Sequence, residues 1–247
     1  MLLTHMRPDQ IKAAVGANTP VIMAAGVIEY HGYHLPVGTD ILLAGYVAEE
    51  AARRSGAIVA PPLAYGSTLS WAGGPDEGEI DFDPGVFQRY VKEALRGLLA
   101  IGFRRIYILQ HHQGSEGLQS LACRMAAAEL VREMTSKWGT GWGRGDYLQT
   151  PEPNIFGLIR VAGLDGYSAY PEPDGERMPV GHAGKGETQL MMAAAPETVS
   201  LERLSMHDGP LPDWLLDTLE ATEAEGRRWI DFCIDGWARE LSANGKK

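Results

Sequence analysis

Short apolar runs alternate along the chain with longer segments in which apolar residues recur every three to four positions. Residues 21–28, 57–60 and 104–109 have the pattern of strands buried on both faces. Residues 41–54, 84–101 and 116–137 have helical spacing, and the same spacing returns near the C-terminus at Ile230, Ile234, Trp237 and Leu241. This order predicts an α/β fold in which helices cover both faces of a mainly parallel sheet.

Segments rich in glycine, proline and aspartate separate these elements. Residues 64–85, 139–157 and 166–184 are therefore predicted to be loops. The glycines at 139, 141, 143 and 145 lack the GxGxxG spacing and no Lys-Ser/Thr pair follows them, which argues against a nucleotide-phosphate loop. No repeat or linker divides the chain, so we expect a single domain spanning residues 1–247.

Charge and cysteine content narrow the possible partners. The 247 residues include 22 basic and 32 acidic side chains, a formal net charge of −10, which disfavours nucleic acid and anionic membranes as partners. Cys123 and Cys233 both lie in predicted helices and imply no disulfide framework. The N-terminus lacks the apolar run of a signal peptide. We therefore expect a cytoplasmic protein that acts on a small molecule.

Side chains that can bind a metal are concentrated at the ends of two predicted strands and at the start of one helix. Glu29 directly follows the first strand, and Asp40 and Glu187 each lie at a helix start. Five of the seven histidines share these segments: His31, His34, His111, His112 and His182. Because ligands bind at the carboxyl ends of parallel strands, these groups are expected to converge, and they suit Zn²⁺ or Mn²⁺.

Each of these residues also has a purely structural interpretation. Asp40 could cap the helix that follows it, and Glu187 could be a first-turn glutamate favoured by the helix dipole. His182 could be a structural histidine at a helix start. Since adjacent residues of a strand face opposite ways, only one of His111 and His112 is expected to be a ligand.

Two of these segments carry recognisable motifs. They read Glu29-x-His31-Gly32-x-His34-Leu35-Pro36-x-Gly38-Thr39-Asp40 and His182-Ala183-Gly184-x-x-Glu187-Thr188. The first resembles the E-x-H-G-x-H-L-P-x-G-T-D signature of the creatininase (creatinine amidohydrolase) family, and the second resembles its H-A-G-x-x-E-T element. The similarity extends over roughly residues 15–205. It implies a three-layer α/β/α hydrolase that holds two divalent ions, Zn²⁺ or Mn²⁺.

The resemblance also implies a ligand set. Asp40 would bridge the two ions, with Glu29 and His112 completing one site and His31 and Glu187 the other. The family's N-G-H-G-G-N loop corresponds to residues 110–115, which places the histidine ligand at His112. Creatininase proper has a glutamate ligand two residues after that histidine. This chain has glycine there, so the resemblance implies that Glu187 supplies the ligand, as in relatives that lack the loop glutamate.

The implied reaction is the opening of a small cyclic polar substrate, a cyclic amide or related carbonyl ring, by a metal-bridged hydroxide. His182 matches the family's acid/base histidine. Residues assigned to substrate binding are His34, His111, Gln113, Tyr167 and Tyr170, and Trp138 and Trp142 lie in similarly placed loops. The family also includes a hydrolase of 3-dehydro-scyllo-inosose, which cleaves a carbon–carbon bond, so a cyclitol-derived ketone or lactone is an alternative substrate.

Two further expectations concern assembly and catalysis. The resemblance implies a homo-oligomer, a hexamer in the family, and the apolar surface for it would come from Trp214, Trp229 and Trp237. An alternative of another class is a relative without catalysis that binds a metal or metabolite.

Overall fold

The structure is a computed structural model that describes residues 1–136, 140, 155–172, 175–179 and 181–243. Most of the predicted loop 139–157, including Trp142, lies outside these residues, as does Trp138.

Four parallel strands form the sheet in the described part of the chain. They are β1 (Val21–Ala25), β2 (Ile58–Val59), β3 (Ile106–Gln110) and β4 (Ile159–Ala162), in the order β2-β1-β3-β4. The pattern of apolar runs predicts the first three strands. It does not predict β4, because four residues that include Arg160, bounded by Gly157 and Gly163, are too short to show a period.

Six α-helices cover the two faces of the sheet in the ranges that the structure describes. They are α1 (Pro8–Gly16), α2 (Thr39–Ser55), α3 (Pro84–Ile101), α4 (Leu118–Ser136), α5 (Lys185–Ala194) and α6 (Glu223–Ser242). Helices α2, α5 and α6 pack on one face, and α1, α3 and α4 pack on the other. The expected three-layer α/β/α architecture is confirmed.

Alternate side chains of the central strands enter the two cores, as the pleat requires. In β1, Ile22 and Ala24 face α2, α5 and α6, whereas Val21, Met23 and Ala25 face α3 and α4. Complete burial on both faces explains why β1 is an uninterrupted apolar run.

The aromatic residues of α6 belong to the core and not to an outer surface. Trp237 is fully buried, and its indole N–H donates to the backbone oxygens of Gly163 and Leu164 at 3.1 and 2.9 Å. Trp229 is also buried. The expectation that these tryptophans supply an apolar surface for subunit contacts is therefore wrong, because α6 is amphipathic and turns this stripe toward the sheet.

Gly26 lets the start of α2 approach the end of β1. A Cβ at this position would lie 2.4 Å from the backbone nitrogen of Ile41 and 2.7 Å from the carbonyl carbon of Asp40. Any larger residue would push the helix away. Glycine here therefore sets the distance between the strand end and Asp40.

None of the helices in the described ranges combines the length and the apolar character that a membrane crossing requires.

Candidate active site

The three segments singled out by sequence meet at the carboxyl edge of the sheet. The loop after β1 folds back on itself because the Glu29 backbone N–H donates to the Val37 oxygen at 2.9 Å. Asp40 follows in the first turn of α2, where the helix dipole favours a carboxylate. Glu187 occupies the same kind of position in α5. The loop after β3 completes the edge with two histidines.

One group of potential metal ligands consists of Glu29, Asp40 and His112. The Nδ1 atom of His112 lies 3.1 Å from Glu29 Oε2 and 3.1 Å from Asp40 Oδ2. All three residues are buried, and their ligand atoms lie within 4.8 Å of one another. This spacing is compatible with one cation bound among them.

A second group consists of His31, Asp40 and Glu187. The Nε2 atom of His31 lies 3.5 Å from Asp40 Oδ1 and 3.5 Å from Glu187 Oε2, and the three residues are again buried. Asp40 thus contributes one oxygen to each group. A third possible group joins Glu29 and His31 to His182.

Backbone carbonyls hold three of the histidines with one nitrogen free for a ligand. His31 Nδ1 lies 3.0 Å from Glu29 O, His112 Nε2 lies 3.1 Å from Ser67 O, and His182 Nε2 lies 2.8 Å from Tyr30 O. A carbonyl oxygen can only accept, so each of these nitrogens carries a hydrogen. The other nitrogen of each neutral ring then presents a lone pair, which is the arrangement usual for metal-bound histidine.

The three carboxylates create an excess of buried negative charge. Burial lowers the pKa of His31, but its hydrogen bond with Asp40 and the other carboxylates outweigh burial and raise the pKa to about 9. The same balance raises the pKa of His112 to about 10. Burial raises the pKa of Asp40, yet the adjacent His112 and His31 rings bring it well below its usual range. The site therefore favours the binding of positive charge.

Several atoms that face this centre lack a well-formed hydrogen bond with the described residues. They are Glu29 Oε2, His31 Nε2 and Asp40 Oδ2, all buried. Buried polar atoms without partners are costly, and cations bound in the two groups would satisfy these three atoms. The donor set of carboxylate and imidazole thus fits divalent zinc or manganese.

Both histidines after β3 reach the centre, and of the two only His112 belongs to one of the potential ligand groups among the described residues. The strand ends at Gln110, and His112 has a φ of 148°, which departs from extended geometry. The alternation of a strand therefore does not apply. His111 Nε2 lies 2.9 Å from Glu187 Oε1, so this ring contacts a potential ligand. Its contact with Glu187 suits an orienting role.

His182 lies beside the centre at the wall of the cavity. Its Nδ1 atom is 3.8 Å from Glu29 Oε2, and its ring lies 4.4 Å from the His31 ring and 4.9 Å from the Trp214 ring. With Nε2–H held by the Tyr30 carbonyl, Nδ1 is the nitrogen that can exchange a proton.

A cavity of about 520 Å³ opens onto these groups. Its remaining wall is largely apolar and includes residues that the sequence analysis did not single out: Trp71, Leu164, Asp165, Met178, Pro179 and Leu190. Trp214, expected at an outer surface, also lines this wall. Leu190 lies in α5, and the others lie in segments between the main strands and helices. They carry no motif, so only their convergence identifies them.

Three of the expected substrate-binding residues do not line this cavity. His34 is buried beneath it, and its Nε2 atom lies 3.0 Å from Ala183 O and 2.9 Å from Thr188 Oγ1. Tyr167 packs its ring 4.7 Å from that of Trp237. Tyr170 packs on Phe232 and reaches Asp165 through its hydroxyl.

Gln113 does line the cavity, but its amide is engaged with the backbone. Its Oε1 accepts from Leu118 N–H at 3.1 Å, and its Nε2 donates to Thr68 O at 3.4 Å. The side chain therefore connects the β3 loop to the start of α4 and to the loop at Thr68.

Comparison with known proteins places the chain in a family. A family model described as creatinine amidohydrolase matches residues 4–241. Creatinine amidohydrolase of Pseudomonas putida is 26% identical over 93% of this chain and 91% of that protein. A mycofactocin precursor peptide peptidase of Mycobacterium ulcerans is 26% identical over 89% and 84%. The 3-dehydro-scyllo-inosose hydrolase of Thermotoga maritima is 30% identical, but over only 43% and 34%.

Solved structures share the fold. A manganese form of creatininase matches with a TM-score of 0.75 at 22% identity, over 97% of this chain and 96% of that one. A zinc–zinc form of a creatininase mutant matches with a TM-score of 0.73 at 24% identity, over the same shares. The family match over nearly the whole chain is decisive: the chain belongs to the creatininase family of metal-dependent amidohydrolases.

Proposed function

We propose that this protein is a hydrolase with two divalent metal ions that cleaves an amide or related carbonyl bond in a small cyclic polar substrate. The observation that carries this proposal is the division of the buried donors into two groups that share Asp40. Glu29 and His112 would hold one ion, and His31 and Glu187 the other. Ions held in this way supply an activated water and polarise a substrate carbonyl.

The chain's own groups provide the proton transfers. His182 Nδ1 faces the centre with a lone pair and can take a proton from the attacking water, then return it to the leaving atom. The Tyr30 carbonyl keeps the ring in one tautomer, and the Trp214 ring contacts it in a T-shaped arrangement. Leu190, Met178 and Trp214 limit the access of water to the reacting atoms.

Glu187 is positioned for its proposed role by the backbone of its own motif. Its Oε2 accepts from the Ala183 N–H at 2.6 Å, while its Oε1 contacts His111. Burial raises the pKa of this carboxyl, but the His111 hydrogen bond and the neighbouring charges lower it overall. The carboxylate is therefore ionised and available to a cation.

Elemental analysis of the purified protein tests the metal count. We expect about two zinc or manganese ions per chain, and Asp40→Ala should lose both because its two oxygens serve both groups. Asp9→Ala, a change at an exposed aspartate in α1, is the matched control and should keep both ions. A wild-type protein that takes up neither metal would refute the proposal and leave metabolite binding without catalysis as the alternative.

The bond that is cleaved requires a separate test. The 26% identity with the Pseudomonas putida protein supports a cyclic amide, whereas similar identity with the peptide peptidases supports an open-chain amide. A partial match to the inosose hydrolase supports a cyclitol-derived ketone as a second candidate. Cyclic amides, short peptides and cyclitol ketones should be assayed in parallel with the metal-loaded protein. The true reaction should stop on chelation and resume when metal is restored.

A further inference from the structure

Asp165 lines the cavity and belongs to none of the candidate metal-ligand groups. It follows β4 by three residues, and only one of its oxygens is used in a hydrogen bond with the described residues: Oδ2 accepts from the Tyr170 hydroxyl at 2.7 Å. The Asp165 backbone oxygen accepts from Ser168 N–H at 2.8 Å, which holds the turn. The side chain is therefore anchored at one oxygen and half-buried.

No lysine or arginine among the described residues lines the cavity, and none forms an ion pair with Asp165. The other charged groups in the wall are the carboxylates and histidines of the metal centre. The described part of the chain thus supplies no basic side chain to pair with Asp165, and a cationic group of the substrate would provide that counter-charge.

The surfaces around Asp165 suit the body of an organic cation. Leu164, Met178 and Pro179 provide an apolar wall, and the indoles of Trp71 and Trp214 line the same cavity. Aromatic faces attract cations, and a partly desolvated carboxylate attracts them more strongly than an exposed one does.

We propose that Asp165 determines specificity by binding a cationic N–H group of the substrate, an amidinium, guanidinium or ammonium, while the substrate carbonyl lies at the metal centre. This inference rests on the proposed function, because it takes the cavity to be the substrate site. It predicts that substrates with a carboxylate in this position are rejected.

Binding of two probes of equal shape tests the role of the charge. The probes are benzamidinium and neutral benzamide, titrated by calorimetry into the zinc-loaded protein. We expect wild type to bind benzamidinium at least about tenfold more tightly than benzamide. Asp165→Asn keeps an oxygen for the Tyr170 hydroxyl but removes the charge, and it should reduce this preference about tenfold.

Tyr170→Phe is the matched control. It removes the same hydrogen bond but leaves the charge, so the preference for benzamidinium should persist. An equal loss of preference in both variants would mean that the hydrogen bond and not the charge is responsible, and would overturn the proposal. So would an unchanged preference in Asp165→Asn, or a wild type that does not prefer benzamidinium.

Zinc content measured on the same samples separates this inference from the proposed function. Asp165→Asn should hold as much zinc as wild type, because Asp165 belongs to neither ligand group. If zinc is bound and the probe preference does not respond, the role of Asp165 fails while the hydrolase stands. If wild type binds no zinc, the proposed function itself fails.

Discussion

The two walls of the cavity differ in how firmly their side chains are held. At the metal end, Glu29, His31 and Asp40 are each at most 4% exposed, and their positions depend on one another through contacts of 3 to 4 Å. The opposite side of the cavity, here called the far wall, is formed by Trp71, Leu164, Asp165, Met178, Pro179, Leu190 and Trp214. In this wall the Trp71 side chain is 79% exposed. Preorganised groups suit the chemical step, which tolerates little displacement, whereas an apolar wall with an exposed indole suits recognition of the substrate.

The same difference indicates which side of the cavity relatives can share and which side can vary among them. The metal end is built from strand ends and helix starts, so its geometry follows from the fold. Apart from Leu190 in α5, the far wall comes from segments between the main elements, and such segments tolerate substitution. Relatives named for a small cyclic compound and for a precursor peptide are compatible with one chemical centre combined with different far walls.

The substitution expected to disturb the metal centre most is Gly26→Ala. A methyl group would meet the backbone of α2 at 2.4 to 2.7 Å, so Gly26→Ala should cost at least about 3 kcal/mol of unfolding free energy and displace Asp40. Urea denaturation and elemental analysis measure both effects. Gly45→Ala on α2, where the added methyl meets nothing within 4 Å, should be neutral or stabilising. Equal stability of the two variants would contradict this account of the close approach.

The two histidines after β3 should differ in effect although they are adjacent. His112→Ala removes a group that contacts both Glu29 and Asp40, so it should reduce activity about a thousandfold or more and lower the metal content. His111→Ala removes a contact with Glu187 and should cost about 10- to 100-fold while both ions remain. A larger loss of activity and metal in His111→Ala than in His112→Ala would exchange the roles assigned to the two histidines.

Substitutions at the far wall should weaken substrate binding and leave the metal content unchanged. Trp71→Ala should raise KM about tenfold at unchanged metal content, with little effect on stability because the ring is largely exposed. Trp214→Ala should also lower kcat, since that indole packs against the His182 ring. Steady-state kinetics with the substrate identified by the parallel assays would distinguish the two patterns.

The smallest expected effect concerns pH and the histidine beneath the centre. Burial lowers the pKa of His34 to about 4, against about 6.5 when the chain is unfolded. The unfolded chain therefore takes up this proton first as the pH falls, and stability is lost between pH 6.5 and 4. His34→Gln should remove about 1 kcal/mol of this loss at pH 6. Denaturation at pH 6 and pH 8, with wild type as the reference, measures it.

Sequence reasoning reached the metal end but not the far wall. Glu29, Asp40 and Glu187 could be identified because they stand next to apolar runs that end abruptly and because motifs of chemical groups surround them. Asp165 and Trp71 have no such neighbours. The sequence predicts only a loop at Trp71 and no element at Asp165. His34 does not line the cavity although it belongs to the motif, because membership in a motif does not show which way a side chain points.

Local pattern alone determined the layered α/β architecture, since strands buried on both faces and amphipathic helices have distinct periods. It also determined which edge of the sheet carries the chemistry. Only the tertiary structure decided that both His111 and His112 face the centre, because the chain leaves strand geometry at Gln110. It likewise decided that Trp237 fills a core and Trp214 a cavity wall. Contacts between segments distant in sequence determine these side-chain positions, and the local hydrophobic period carries no information about such contacts.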